Sequence, residues 1–166
     1  MAVNSQESGE SIDEIIDKYS DMIYRLAYSY VKTKHDAEDV YQDVFLRYIS
    51  KPRSYDSEEH RKAWLLRVTI NRCKSLLSSS WFRKTAPLDE THLGDTQLND
   101  TEETNDLSDY LALLPPKYRP VIHLFYFEEM TTKQISRILH IKESTLRSWL
   151  SRARTILGEN LKEGTT

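Results

Sequence analysis

Between Ile12 and Tyr30 the apolar residues Ile12, Ile15, Ile16, Tyr19, Met22, Ile23, Leu26 and Tyr30 recur at every third or fourth position. That spacing follows the turn of an α-helix and gathers all eight on one stripe, so the segment must fold as a helix with one side buried. The same period returns in Val40, Val44 and Tyr48, with Ala37 and Tyr41 beside them, and in Ala63, Leu66 and Ile70, with Trp64 and Val68 along another face. It returns again in Ile135, Ile138 and Leu139, and in Leu146, Leu150, Ala153 and Leu157. A chain of 166 residues with four glycines has no glycine-rich loop to cradle phosphate, and helix packed on helix is the predicted theme.

Breaks in the period divide the chain. Pro52 ends the second helix, and "SYDSEE" supplies a turn and a start for the third. A further basic helix is expected from about Arg72 to Lys84. Pro115-Pro116 closes another helix, and "KYRPVIHLFYF" is apolar enough for the centre of a small bundle. Thr131 followed by Gln134 fits a capping box, which starts a short helix there. The register fails around His140 to Glu143 and resumes at Leu146, the pattern of a helix-turn-helix. Residues 85–110 are rich in Thr, Asp and Asn and sustain no apolar period, as a linker would. The predicted fold class is all-α: two small helical modules, 10–84 and 106–162, joined by an acidic flexible linker over 85–105. The second is expected to be a four-helix module ending in the helix-turn-helix.

A formal net charge of -3 conceals strong segregation. Arg61 to Lys84 holds seven bases and no acid, while 85–110 holds eight acids and no base. From Thr131 to Ile156 six bases face Glu143 alone. Two separated basic surfaces suit a long polyanion touched at two places. The lone Cys73 has no internal disulfide partner, and no Cys/His cluster has metal-ligand spacing, so no metal and no cofactor is expected. No apolar run is long enough for a bilayer and the N-terminus lacks the parts of a secretory signal. These features predict a cytoplasmic protein without membrane insertion. The pair His35-Asp36, expected in a turn, lacks a second His cluster at the spacing of metal phosphohydrolases, which argues against an enzyme.

The two basic blocks offer different chemistry. With Leu146, Leu150, Ala153 and Leu157 buried, a step of about 100° per residue turns Ser144, Ser148, Ser151, Arg152 and Thr155 outward, with Thr145 and Arg147 on the flanks. Small hydroxyls between arginines allow close entry into the major groove of duplex DNA, where hydroxyls meet phosphates and Arg reaches guanine or phosphate. The other block mixes Trp64 with Arg67, Asn71, Arg72 and Lys74. A flat ring for stacking, an amide for a base edge and cations for phosphates are what an unpaired strand requires.

Three stretches, in order, resemble the extracytoplasmic-function sigma factors, minimal members of the sigma-70 class of bacterial RNA polymerase subunits. They are "DAEDVYQDVFLRYI", "KAWLLRVTINRCKSLL" and "LPPKYRPVIHLFYFEEMTTKQISRILHIKESTLRSWLSRAR", and the resemblance spans about Ser11 to Leu161. It implies an alternative sigma factor that binds core RNA polymerase and directs promoter-specific initiation. Under it, Asp39, Gln42, Asp43 and Leu46 dock on the polymerase clamp. Asn71, with Arg67, Arg72 and Lys74 nearby, serves a loop after the "WLLRVTIN" segment that captures a flipped base of the minus-ten element. Ser144, Thr145, Arg147, Ser148, Ser151 and Arg152 read the minus-thirty-five duplex. Promoter DNA, core polymerase and an anti-sigma factor are the implied partners. The sequence departs from the family pattern at Lys142, where Pro is frequent, at Ser144, where Gly is frequent, and at Trp149, where a base is frequent. Trp149 is expected to pack at the core edge. The alternatives are a helix-turn-helix regulator that acts without polymerase and a positive-control factor that binds polymerase but needs a second protein to read DNA.

Overall fold

The computed structural model describes residues 11–85 and 111–164, with side chains described over 11–79 and 111–159. The acidic linker expected at 85–105 and the start of the second module at 106 lie almost wholly outside the described residues. Among the described residues all regular structure is helical.

Helix α1 spans Ile12–Val31, α2 Lys34–Ser50 and α3 Glu58–Thr85. Ser11 caps α1 by accepting the Glu14 amide at 3.2 Å, and acids in the first turn complement the helix dipole. Lys32 closes α1 in the left-handed conformation, with φ 68°, and Thr33 caps α2 one residue later by accepting the Asp36 amide. Two caps back to back make this corner as tight as it is. They also place His35 in the first turn of α2 rather than in a turn between helices.

The packing follows the sequence stripes with local changes. In α1, Ile15, Tyr19, Met22, Ile23, Leu26 and Tyr30 are buried, whereas Ile12 at the helix start is 40% exposed. Ala37, Val40, Val44 and Phe45 bury one side of α2. The buried stripe of α3 runs through Leu65, Leu66, Thr69, Ile70 and Cys73; it keeps the predicted Leu66 and Ile70, extends to Leu65, Thr69 and Cys73 on one flank, and leaves Ala63 only half-buried. Thr69 fits there because its hydroxyl donates to Leu65 O at 2.7 Å, which satisfies a polar group that burial would otherwise penalise. The expected separate helix from Arg72 does not form. No Gly or Pro interrupts residues 71–85, so the hydrogen-bond ladder simply continues through one 28-residue helix.

In the second half, α4 spans Tyr118–Ile122 and runs directly into a π-helical turn at His123–Phe127. Helix α5 spans Thr132–Leu139 and α6 Glu143–Gly164. The capping box at α5 is complete, with Thr131 Oγ1 accepting the Gln134 amide at 3.1 Å and Gln134 Oε1 accepting the Thr131 amide at 2.9 Å. His140 ends α5 with φ 56°, and α6 starts three residues on, which completes the helix-turn-helix. Three helices of the expected four-helix module are therefore seen among the described residues; buried Leu111 and Leu114 lie where the first would end.

The halves are not separate bodies. Their buried apolar residues form one continuous core, with α1 packed on α4 and α3 packed on α5. Polar contacts reinforce this seam. Arg119 Nη1 donates to Tyr30 O at 2.9 Å, while its other nitrogens reach Leu111 O and Ala112 O, so one guanidinium ties the end of α1 to the entry of the second half.

Candidate nucleic-acid interface

Helix α6 presents its polar face to solvent. Leu146, Leu150 and Ala153 are buried and Leu157 half-buried, while Ser144, Arg147, Ser148, Ser151 and Arg152 are exposed and Thr145 is half-buried. All six residues assigned to the minus-thirty-five duplex thus share one accessible side, with Thr145 at its margin. Glu143, the single acid of this block, accepts from Arg147 Nη2 at 2.8 Å and from Thr132 Oγ1 at 2.9 Å. Arg154 turns the other way, donating to Tyr126 Oη at 2.6 Å and lying over the Phe125 and Tyr126 rings. Trp149 packs as expected, its ring edge-on to Tyr118 at 5.9 Å with the Lys117 ammonium 5.3 Å away.

The first-half block is arranged differently. Asn71 and Lys74 are exposed on the outer side of α3. Arg67 is half-buried and points across the seam, donating at 3.4 Å to Ile138 O and to Arg137 O at the C-terminal end of α5. A cation at that end is favoured because the last carbonyls of a helix lack intrahelical partners. Arg72 Nε lies 3.0 Å from Asp43 Oδ2 on α2, and Arg47 Nε sits at the same distance from that oxygen. Two residues assigned to different partners, Asp43 and Arg72, are therefore joined in one ion pair. Because α3 continues through Asn71 to Thr85, the residues directly after the "WLLRVTIN" segment are helical, and no base-capturing loop is seen there among the described residues.

Tyr55 lies in the loop that joins α2 to α3, and sequence reasoning overlooked its place beside two rings already noted, Tyr48 of α2 and Trp64 of α3. Tyr48 stacks on Tyr55 at 6.2 Å, both adjoin Trp64, and the Arg53 guanidinium lies 5.3 Å from the Trp64 ring. Burial, reinforced by Tyr48, pushes the Tyr55 hydroxyl up to about 12 against the opposing charges of Arg53 and Arg61, so it stays a neutral donor. The clue in the sequence was an aromatic on each side of Pro52, at Tyr48 and Tyr55, with Trp64 one loop away.

On α2, Asp39 and Gln42 are exposed, Asp43 is half-buried and Leu46 is 64% exposed. Ile49, not singled out from the sequence, joins Leu46 as an exposed apolar residue at 44%. Uncovered apolar side chains mark surfaces that meet protein, and the acids beside them would repel a polyanion. Among the described residues no group of His, Cys, Asp and Glu is placed to hold a metal ion, and no helix is long and apolar enough to cross a membrane.

Comparison with known proteins agrees with this geometry. Residues 15–83 match the family described as sigma-70 region 2, and residues 104–157 that described as sigma-70, region 4. The chain is 32% identical over 151 residues to the ECF RNA polymerase sigma factor SigM of Bacillus subtilis (strain 168), covering 87% of this chain and 91% of the relative. SigW of the same organism is 29% identical over 174 residues, covering 93% and 90%. Among solved structures, the sigma factor RpoE in its co-crystal with the anti-sigma factor NepR from Bartonella quintana superimposes with a TM-score of 0.73. That match has 22% identity and covers 90% of this chain and 96% of that one, so it reports likeness of fold. CnrH, solved in complex with the cytosolic domain of CnrY, gives a TM-score of 0.66 at 18% identity, over 94% and 92%. With both regions present in order and a relative matched along most of its length, this chain belongs to the sigma-70 family as an extracytoplasmic-function sigma factor.

Proposed function

We propose that this chain acts as an alternative sigma subunit in the cytoplasm, holding one promoter at two points while docked on core RNA polymerase. The observation that carries the reading is the single accessible face of α6, where small hydroxyls and two arginines stand together without an unpaired acid. Region 106–162 takes the minus-thirty-five duplex through Ser144, Thr145, Arg147, Ser148, Ser151 and Arg152. Region 10–84 takes the melted minus-ten strand on the outer side of α3, with Asn71 and Lys74 already facing solvent and Arg67 and Arg72 available once their present contacts exchange. The rings of Tyr48, Tyr55 and Trp64 lie on the same half and supply flat faces of the kind that stack on unpaired bases. Flipping a base costs a few kcal/mol of stacking, which such faces and nearby cations offset.

Asp39, Gln42, Asp43 and Leu46 are the polymerase-docking set, supported by the mixture of acid and uncovered apolar surface on α2. An anti-sigma factor is the proposed inhibitory partner, by analogy with the complex of RpoE with NepR. No catalytic residue is assigned. Run-off transcription with purified core polymerase on a promoter library tests the reading: start sites must appear that core alone does not use. Failure to join core polymerase, or unchanged start-site choice, would reject it.

A further inference from the structure

Glu143 is the one acid in a block of six bases, and its position in the first turn of α6 is favourable to the helix dipole. That alone does not account for its two partners. Its Oε2 accepts from Thr132 Oγ1 on α5 and from Arg147 Nη2 one turn further along α6. The carboxylate is thus fixed from one side of the helix-turn-helix and holds a 65% exposed arginine on the other. We infer that Glu143 is a positioning residue that commits Arg147 to reading a base edge instead of binding phosphate. The inference rests on α6 being the duplex-reading helix.

The argument is one of donors and charge. A long, unrestrained arginine on this face would move to the phosphates, which dominate attraction to duplex DNA. Glu143 occupies one of the five guanidinium N–H groups and leaves a fork free for two acceptors. A phosphate approaching that fork would also meet the carboxylate and be repelled. The O6 and N7 edge of guanine carries no net charge, so it suffers no such repulsion. Arg152 is the internal contrast: among the described residues no acid pairs with it, so it remains available to phosphate.

The test uses the full chain assembled with core polymerase, binding promoter duplexes that carry single changes in the upstream element, in competition with non-promoter duplex. Glu143→Gln keeps the shape and removes the charge. It should tighten binding to non-promoter duplex, steepen the salt dependence by about one phosphate contact, and cut discrimination at one base pair by roughly fivefold or more. Thr132→Val, which frees the carboxylate without changing charge, should lower the same discrimination without tightening non-promoter binding. If Glu143→Gln weakens promoter and non-promoter duplexes alike, or leaves discrimination intact, Glu143 is merely structural and the inference is wrong. Arg147→Ala separates the two levels. Should it erase discrimination at one base pair while Glu143→Gln does not, only the positioning role fails. Should it leave discrimination unchanged everywhere, the reading of Arg147 as a base contact fails with it.

Discussion

The basic face of α6 and the basic face of α3 both carry arginines, yet the free chain treats them in opposite ways. On α6 the serines and Arg152 face solvent, and Arg147 is held in place while still 65% exposed. On α3 two of the three assigned cations are engaged within the molecule: Arg67 reaches the carbonyls of α5, and Arg72 meets Asp43. Under the proposed assignment α6 meets a rigid duplex as it stands, whereas Arg67 and Arg72 exchange partners before they join Asn71 and Lys74 on a strand, which suits a substrate that exists only after melting has begun.

The strongest way to break this comparison is to collapse the presented face from beneath. Leu150 is 2% exposed under α6, and Leu150→Ala should cost about 2–5 kcal/mol in chemical denaturation through lost burial and a residual cavity. Promoter binding by the folded fraction would fall with it. Next in size, Arg152→Ala should lose about 1–3 kcal/mol at one base position if it touches a base edge, whereas uniform weakening across a duplex library would assign it to phosphate. Arg67→Ala sharpens the contrast from the other side. Its two hydrogen bonds are long, so the seam should weaken by about 1 kcal/mol or less, seen as faster amide exchange in α5. Exchange that stays unchanged would show that Arg67 does not restrain the second half.

The smallest effect concerns pH at the same seam. Burial pushes the Glu128 carboxyl up, but the His123 hydrogen bond and the charges of His123, Arg25 and Lys62 outweigh it and hold the group below its ordinary range. A carboxyl depressed in the folded state stabilises at neutral pH, fully so above its unfolded value of about 4.3, and that contribution disappears as pH falls through the lower folded value. Glu128→Gln should therefore flatten the acid limb of the stability curve. An acid limb identical to that of the parent chain would remove Glu128 from the account.

What could be read beforehand depended on the range of the interaction. The α1 stripe apart from Ile12 and the half-buried Ile16, the capping box at Thr131 and the outward side of α6 are local consequences of period and spacing, and the structure reproduces them. The extension of the α3 stripe to Thr69 was not legible, because Thr69 is polar in sequence and becomes a core residue only by bonding to its own helix. Nor could spacing reveal that α3 continues past Asn71, since serine-rich helical sequence differs little from a helix end in composition. Arg67 and Asp43 were assigned by motif, and spacing could not show that within the chain Arg67 reaches α5 and Asp43 meets Arg72 of α3 as well as Arg47 of its own helix.

Arg119 carries a consequence for evolution by insertion. By fastening Tyr30 O to the carbonyls of Leu111 and Ala112, it anchors the point at which the second half begins, whatever length of chain precedes it. A change in the length of chain upstream of Leu111 would therefore leave these three carbonyl contacts in place.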